Sequence, residues 1–179
     1  MAELRPKYIT FDCYGTLTWF QIADMTRAMF ADRIKPERME AFLHDFNWLR
    51  FDEVLGAWKP YAEVIKSALE RTCKRHGIPF VEAEGHRMYD AVPSWGPHPD
   101  VPEPLTRVGK RYPLVILSNA SDDQIMRNVE KLEAPFHMVC TAQQAQAYKP
   151  RMRAFEYMFD RLGCGPEDVL HVSASLRYD

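Results

Sequence analysis

Asp12 closes the β-rich apolar run Lys7-Tyr-Ile-Thr-Phe11, and the turn-prone residues Tyr14-Gly15-Thr16 come soon after it. Ser118 and Asn119 close a second such run, Leu114-Val-Ile-Leu117. Lys149 lies in Tyr148-Lys149-Pro150, in the loop after a third run at 136–140, and Ser173 to Asp179 follow a fourth, Val169-Leu-His-Val172. A carboxylate, a hydroxyl, an amide, an ammonium and a second carboxylate are thus attached to successive strand ends. Groups of these types at one place can do nucleophilic or acid–base chemistry. Singly, each has an ordinary use: an Asp after a strand caps or turns, Ser-Asn before Asp122-Asp123 starts a helix, and a Lys before Pro sits in solvent. Their convergence favours the functional reading.

That convergence depends on the elements between them. From about Pro102 onward, helix and strand patterns alternate: a helix at 102–110, the strand at 114–117, a helix from Ser121 to about Leu132, the strand at 136–140, a helix opened by Pro150 and ended by Gly163 and Gly165, then the strand at 169–172. Such alternation predicts a parallel α/β sheet, whose ligand crevice lies at the carboxyl ends of the strands. Between the first strand and the second, residues 19–88 read as helical. Met39, Phe42, Leu43, Phe46 and Leu49 recur at spacings of three and four after Pro36, and Tyr61, Val64, Ile65, Ala68 and Leu69 form a second stripe that His76-Gly77 stops. The stretch from Pro93 to Asp100, rich in proline and glycine, reads as the return hinge. The division expected is a core of residues 1–18 and 97–179 with an inserted helical subdomain at 19–96.

Bulk composition removes several classes. A formal net charge of −2 gives no basic excess for nucleic acid. No run of about 18 apolar residues exists to span a membrane, and Met-Ala-Glu-Leu-Arg-Pro lacks a secretory leader's pattern. Cys13, Cys73, Cys140 and Cys164 are scattered without metal-ligand or Cys-x-x-Cys spacing, so reduced thiols in a cytoplasmic protein are expected.

Phe11-Asp12-Cys13-Tyr14-Gly15-Thr16-Leu17-Thr18 resembles the first motif of the haloacid dehalogenase (HAD) superfamily, an apolar strand followed by Asp-x-x-Gly-Thr. Leu117-Ser118-Asn119-Ala120 resembles the second, Tyr148-Lys149-Pro150 the third, and Ser175-x-x-x-Asp179 the fourth, all in the family's order. The resemblance implies a Rossmann-like parallel sheet of the HAD type with a helical cap. Position 14 discriminates within the superfamily. Phosphatases of this class place there an acid that protonates the departing alcohol, whereas Tyr14 matches the type II 2-haloacid dehalogenases, whose halide leaves without a proton.

The resemblance further implies that Asp12 attacks the α-carbon of a small halogenated carboxylate and that water then hydrolyses the aspartyl ester. Lys149 pairs with Asp12, Thr16 and Ser118 orient nucleophile or substrate, and Asn119 lies beside the leaving halide. Ser175 helps bind, Asp179 positions the hydrolytic water or pairs with Lys149, and Tyr14 and Tyr178 line the substrate site. No metal and no organic cofactor is expected, and homodimers through the cap are usual among such relatives. This chain departs from the pattern in three places. Glu40 stands where an arginine faces the halide, Phe155 replaces a tyrosine, and His171 with Ser173-Ala174-Ser175 differs from the usual fourth-motif neighbourhood. Family members also continue beyond the fourth motif, so a last strand and helix are expected to be missing here. The alternatives are a Mg²⁺-dependent phosphohydrolase of the same fold and an inactive core kept for binding or assembly.

Overall fold

Side chains of a strand alternate between its two faces, and the first strand, β1 (Tyr8–Phe11), uses both. Ile9 and Phe11 join Leu114 and Ile116 of β2 (Leu114–Ser118) in one apolar layer, while Tyr8 joins Val115 and Leu117 in the other. β2 is buried at every position, as expected of a central parallel strand covered on both sides. With β3 (Phe136–Thr141) and β4 (Val169–Val172) these form a wholly parallel sheet in the order β3-β2-β1-β4. The chain builds the sheet outward from β1 to β3, then crosses back to lay β4 on β1's other side. This reversal makes the carboxyl end of β1 the topological switch point. The computed structural model describes residues 5–179. Residues 1–4, part of the stretch read for a leader and the start of the expected core, lie outside it.

Among the described residues two compact units emerge, residues 5–20 with 94–179, and residues 21–93. In the first, α5 (Pro102–Gly109) and α6 (Asp122–Glu130) supply Leu105, Ile125 and Val129 to the layer of Ile9 and Ile116. Helix α8 (Met152–Leu162) supplies Met158, Phe155 and Leu162 to the other layer. It begins two residues after Pro150. A four-residue helix, α7 (Ala142–Ala145), links β3 to the loop carrying Lys149, and a reciprocal cap between Thr141 and Gln144 holds it. The outgoing segment around Thr18 bridges antiparallel to Pro97. The Trp19 N–H donates to the Gly96 carbonyl at 2.9 Å, and the His98 N–H to the Leu17 carbonyl at 3.1 Å.

The second unit holds α1 (Ile22–Phe30), α2 (Pro36–Leu55), α3 (Tyr61–His76) and α4 (Glu82–Ala91). Its core takes the two stripes read from the sequence: Phe42, Phe46, Val64, Ile65 and Leu69 are all buried, and the Phe30 and Phe42 rings meet at 4.8 Å. Gly77 ends α3 in the left-handed conformation at φ 68°, which a glycine adopts without steric cost. Glu40, expected at the place of an arginine, is exposed on α2 and pairs with Arg27 of α1 at 2.7 Å. No helix among the described residues is long and apolar enough to cross a membrane.

Candidate active site

Asp12 leaves the end of β1 with its backbone N–H donated to the Val172 carbonyl at 3.1 Å, so the β1–β4 pairing itself fixes where its side chain starts. The residue is 7% exposed. Both carboxylate oxygens are held: Lys149 Nζ donates to Oδ1 at 2.9 Å and Thr16 Oγ1 to Oδ2 at 2.8 Å. Cys13, next in sequence, belongs to the apolar layer with Ile9 and Phe11, and burial pushes its thiol up to about 12. It is core, not chemistry.

Lys149 is 1% exposed, which is tolerable for an ammonium only when it is paired and hydrogen-bonded. Besides Asp12 it donates to Asp179 Oδ1, so one buried cation sits between two carboxylates. Its backbone is clamped by Asn119. The Lys149 N–H donates to Asn119 Oδ1 at 2.7 Å, and Asn119 Nδ2 donates to the Lys149 carbonyl at 3.0 Å. Asn119, expected beside a halide, thus locks the loop after β2 to the lysine loop and keeps one N–H of its amide for anything else.

Asp179 arrives on a turn that the fourth-motif serines organise. Ser175 Oγ accepts the backbone N–H groups of Arg177 and Tyr178 at 3.2 and 3.1 Å, and Ser173 Oγ donates to Asp179 Oδ2 at 2.9 Å. Tyr178 is half-buried beside it. The Asp179 carboxyl is 3% exposed, and burial alone would raise its pKa. Hydrogen bonds from His171, Lys149 and Ser173, with the Lys149 charge, outweigh burial and hold it below the usual carboxylate range. Thr16 completes the circuit, accepting the Ala174 N–H at 3.1 Å while it donates to Asp12.

Ser118 and Tyr14 stand differently. Ser118, at the end of β2, is 1% exposed, and its hydroxyl finds no hydrogen-bond partner among the described residues. Leaving a buried hydroxyl unpaired costs about 1–3 kcal/mol, and such a group in a folded protein asks for an explanation. Tyr14 turns its hydroxyl to Asn128 of α6 at 3.0 Å and stacks its ring on Phe20 at 5.4 Å. Its phenol is therefore bound to the helix layer.

The structure brings Asp12, Thr16, Lys149 and Asp179 into direct contact, with Asn119 and Ser175 holding the loops that carry them. Sequence reasoning missed Thr10 and noted His171 and Ser173 only as departures from the motif, yet the three form the outer wall of Asp179. Thr10 Oγ1 meets His171 Nδ1 at 2.7 Å, and His171 Nε2 meets Asp179 Oδ1 at 2.9 Å. Their signal lay in the alternation of Thr10 among apolar neighbours on β1, but only the β1–β4 register could join it to His171.

This arrangement can present an immobilised carboxylate to an electrophile and keep a second carboxylate one ammonium away. Residues 6–179 match the family model described as haloacid dehalogenase-like hydrolase. An (S)-2-haloacid dehalogenase of Pseudomonas putida is 25% identical over 178 residues, 93% of this chain and 75% of that protein. The solved L-2-haloacid dehalogenase of Xanthobacter autotrophicus superposes with a TM-score of 0.78 at 25% identity, covering 95% of this chain and 70% of that one. A structure of the enzyme from the same organism with chloropropionic acid covalently bound gives 0.77 at 23% identity, covering the same shares. The match runs through the whole α/β core and its helical insertion, and the chain belongs to the haloacid dehalogenase-like hydrolases.

Proposed function

We propose that this chain hydrolyses the carbon–halogen bond of a short 2-haloacid through a covalent ester on Asp12. The carrying observation is the pairing of a fully held Asp12 carboxylate with a Tyr14 whose hydroxyl is committed to Asn128, at the position where an acid would serve an alkoxide leaving group. In the first step an Asp12 oxygen attacks the α-carbon, and the carbon–halogen electron pair leaves as halide, which needs no proton. In the second, water adds to the Asp12 carbonyl carbon and the ester's carbon–oxygen bond breaks. One water proton ends on the hydroxyacid and the other is released, so the carboxylate is regenerated.

Asp179, whose carboxyl is buried beside Lys149, takes the water's proton in this reading. Ser118, whose hydroxyl is buried and unpaired, suits the substrate carboxylate. The covalent chloropropionate adduct of the Xanthobacter structure supports the two-step reading.

The test is halide release from 2-chloropropionate and from haloacetates with EDTA present, wild type against Asp12→Asn. Release that survives EDTA and vanishes in the variant is expected. Release that persists in the variant, or that requires added Mg²⁺, refutes the proposal.

A further inference from the structure

His171 stands on β4 directly across from Thr10 on β1, and both side chains lie on the sheet face that α8 covers. Its imidazole is bonded at both nitrogens, to Thr10 at 2.7 Å and to Asp179 at 2.9 Å. The Phe155 ring meets it nearly edge-on at 78°, with centroids 6.2 Å apart. Two of the departures from the family pattern, Phe155 and His171, therefore touch one another behind the site.

The chemistry of the Asp179 partner fixes the role of Nε2. Asp179 is ionised and only accepts, so Nε2 must carry the proton it receives. The fully buried Thr10 hydroxyl, 2.7 Å from Nδ1, stands where it can donate to that nitrogen. The ring is thus pinned between a strand hydroxyl and the carboxylate, much as outer partners orient ligating and catalytic histidines elsewhere. Asp179 Oδ1 is held by His171 and Lys149 and Oδ2 by Ser173, which determines the plane in which the carboxylate faces Asp12's side of the cluster.

We propose that His171 is a positioning residue for the second half of the reaction: locked as the Nε2–H tautomer by Thr10, it holds Asp179 in the orientation that accepts the hydrolytic water's proton. The catalytic part of this inference rests on the dehalogenation reading. His171 touches neither substrate nor Asp12, so its loss slows ester hydrolysis while leaving the displacement step comparatively fast.

Two measurements test it. In the resting protein, ¹⁵N NMR of the imidazole should show Nε2 protonated and Nδ1 bare but hydrogen-bonded, with the Nδ1 signal moving in Thr10→Val. A protonated Nδ1 beside a bare Nε2 overturns the proposal. With 2-chloropropionate, His171→Phe should release a burst of halide and accumulate the ester, seen by intact-protein mass, with hydrolysis slowed about 10–100-fold, the scale of losing such an outer partner. His171→Gln, which keeps a donor, should recover part of the rate. Equal slowing of both steps, or no slowing in His171→Phe, also overturns it. If wild type releases no halide at all, the dehalogenation reading fails by itself, and the tautomer spectrum still decides whether His171 fixes Asp179.

Discussion

Replacing Lys149 by Met removes the cation but keeps much of its volume, and the structure sets the scale of the loss. The amine stands 2.9 Å from Asp12 Oδ1 and also bonds Asp179. At an effective dielectric of ~20 a pair at that distance attracts by roughly 6 kcal/mol before desolvation is subtracted. The net value is far smaller, because taking three ions out of water costs several kcal/mol each. Breaking such a pair from one side leaves carboxylates without their counter-charge, for which about 3–5 kcal/mol is the usual penalty. That is a large part of the 5–15 kcal/mol that typically separates folded from unfolded. Lys149→Met should therefore lose about 3–5 kcal/mol in urea melts at neutral pH, followed by tryptophan fluorescence, to which the buried Trp95 contributes.

The loss should shrink on acidification. Without Lys149, burial regains its hold on Asp179 and pushes that carboxyl upward, so protonation relieves the variant earlier than the wild type. Adding Asp12→Asn to Lys149→Met should recover part of the loss by removing one of the stranded charges. A Lys149→Met protein within 1 kcal/mol of wild type, or a deficit that stays constant as pH falls, would show that the buried triad is not what holds these strand ends together.

Ser118→Ala removes a buried hydroxyl with no partner, so stability should hold or rise by about 1 kcal/mol while KM for a 2-haloacid increases; paired melts and kinetics check this. Asp179 is held below its ordinary value of 3.8, so its stabilisation is full above that pH and is lost as pH falls through the lower folded value. The stability gap between wild type and Asp179→Asn should accordingly close in acid, as read from melts across that range. Thiol labelling should reach Cys164 first: Cys13 is pushed up to about 12 and Cys73 and Cys140 to about 11 by burial, while Cys164 is the one cysteine with partial exposure. Rapid native labelling of more than one cysteine per chain in a mass spectrum would contradict the burial.

Strand boundaries were legible because short apolar runs ended in polar residues that a sheet edge needs. β2 and β4 begin where the sequence places them, and β2 runs one residue further, to Ser118. The helical stripes of α2 and α3 were equally plain, since Phe42, Phe46, Val64 and Leu69 recur at helical spacing and are buried. The short helix α7 escaped periodicity, having a single turn; its only signal was the Thr-x-x-Gln capping pattern at 141–144. The onset of α8 was placed at Pro150, although the chain turns helical only at Met152, after the lysine loop. Among site residues, motif order pointed to Asp12, Lys149 and Asp179 together. The pairing of Thr10 with His171 stayed hidden because strand alternation gives a face but not a register, and their bond joins positions 161 residues apart. Ser175 carried a binding expectation, and in the structure its oxygen accepts two N–H groups of the turn that delivers Asp179.

The two-stranded ribbon where Thr18 bridges Pro97 has an engineering consequence. Residues 21–93 leave and return to the sheet through one narrow, self-paired neck, so their ends are already joined within the first unit. Inserted sequence at such a neck adds little closure entropy as it lengthens, about 0.6 kcal/mol per doubling. The neck is a socket: whole segments of different length and origin can be exchanged there without re-registering β1 against β2. A chimera bearing a foreign insertion, or a minimal version with a short linker in its place, would keep its strand pairing. The cluster of Asp12, Lys149 and Asp179 at the strand ends would stay in place, since its bonds lie within the first unit.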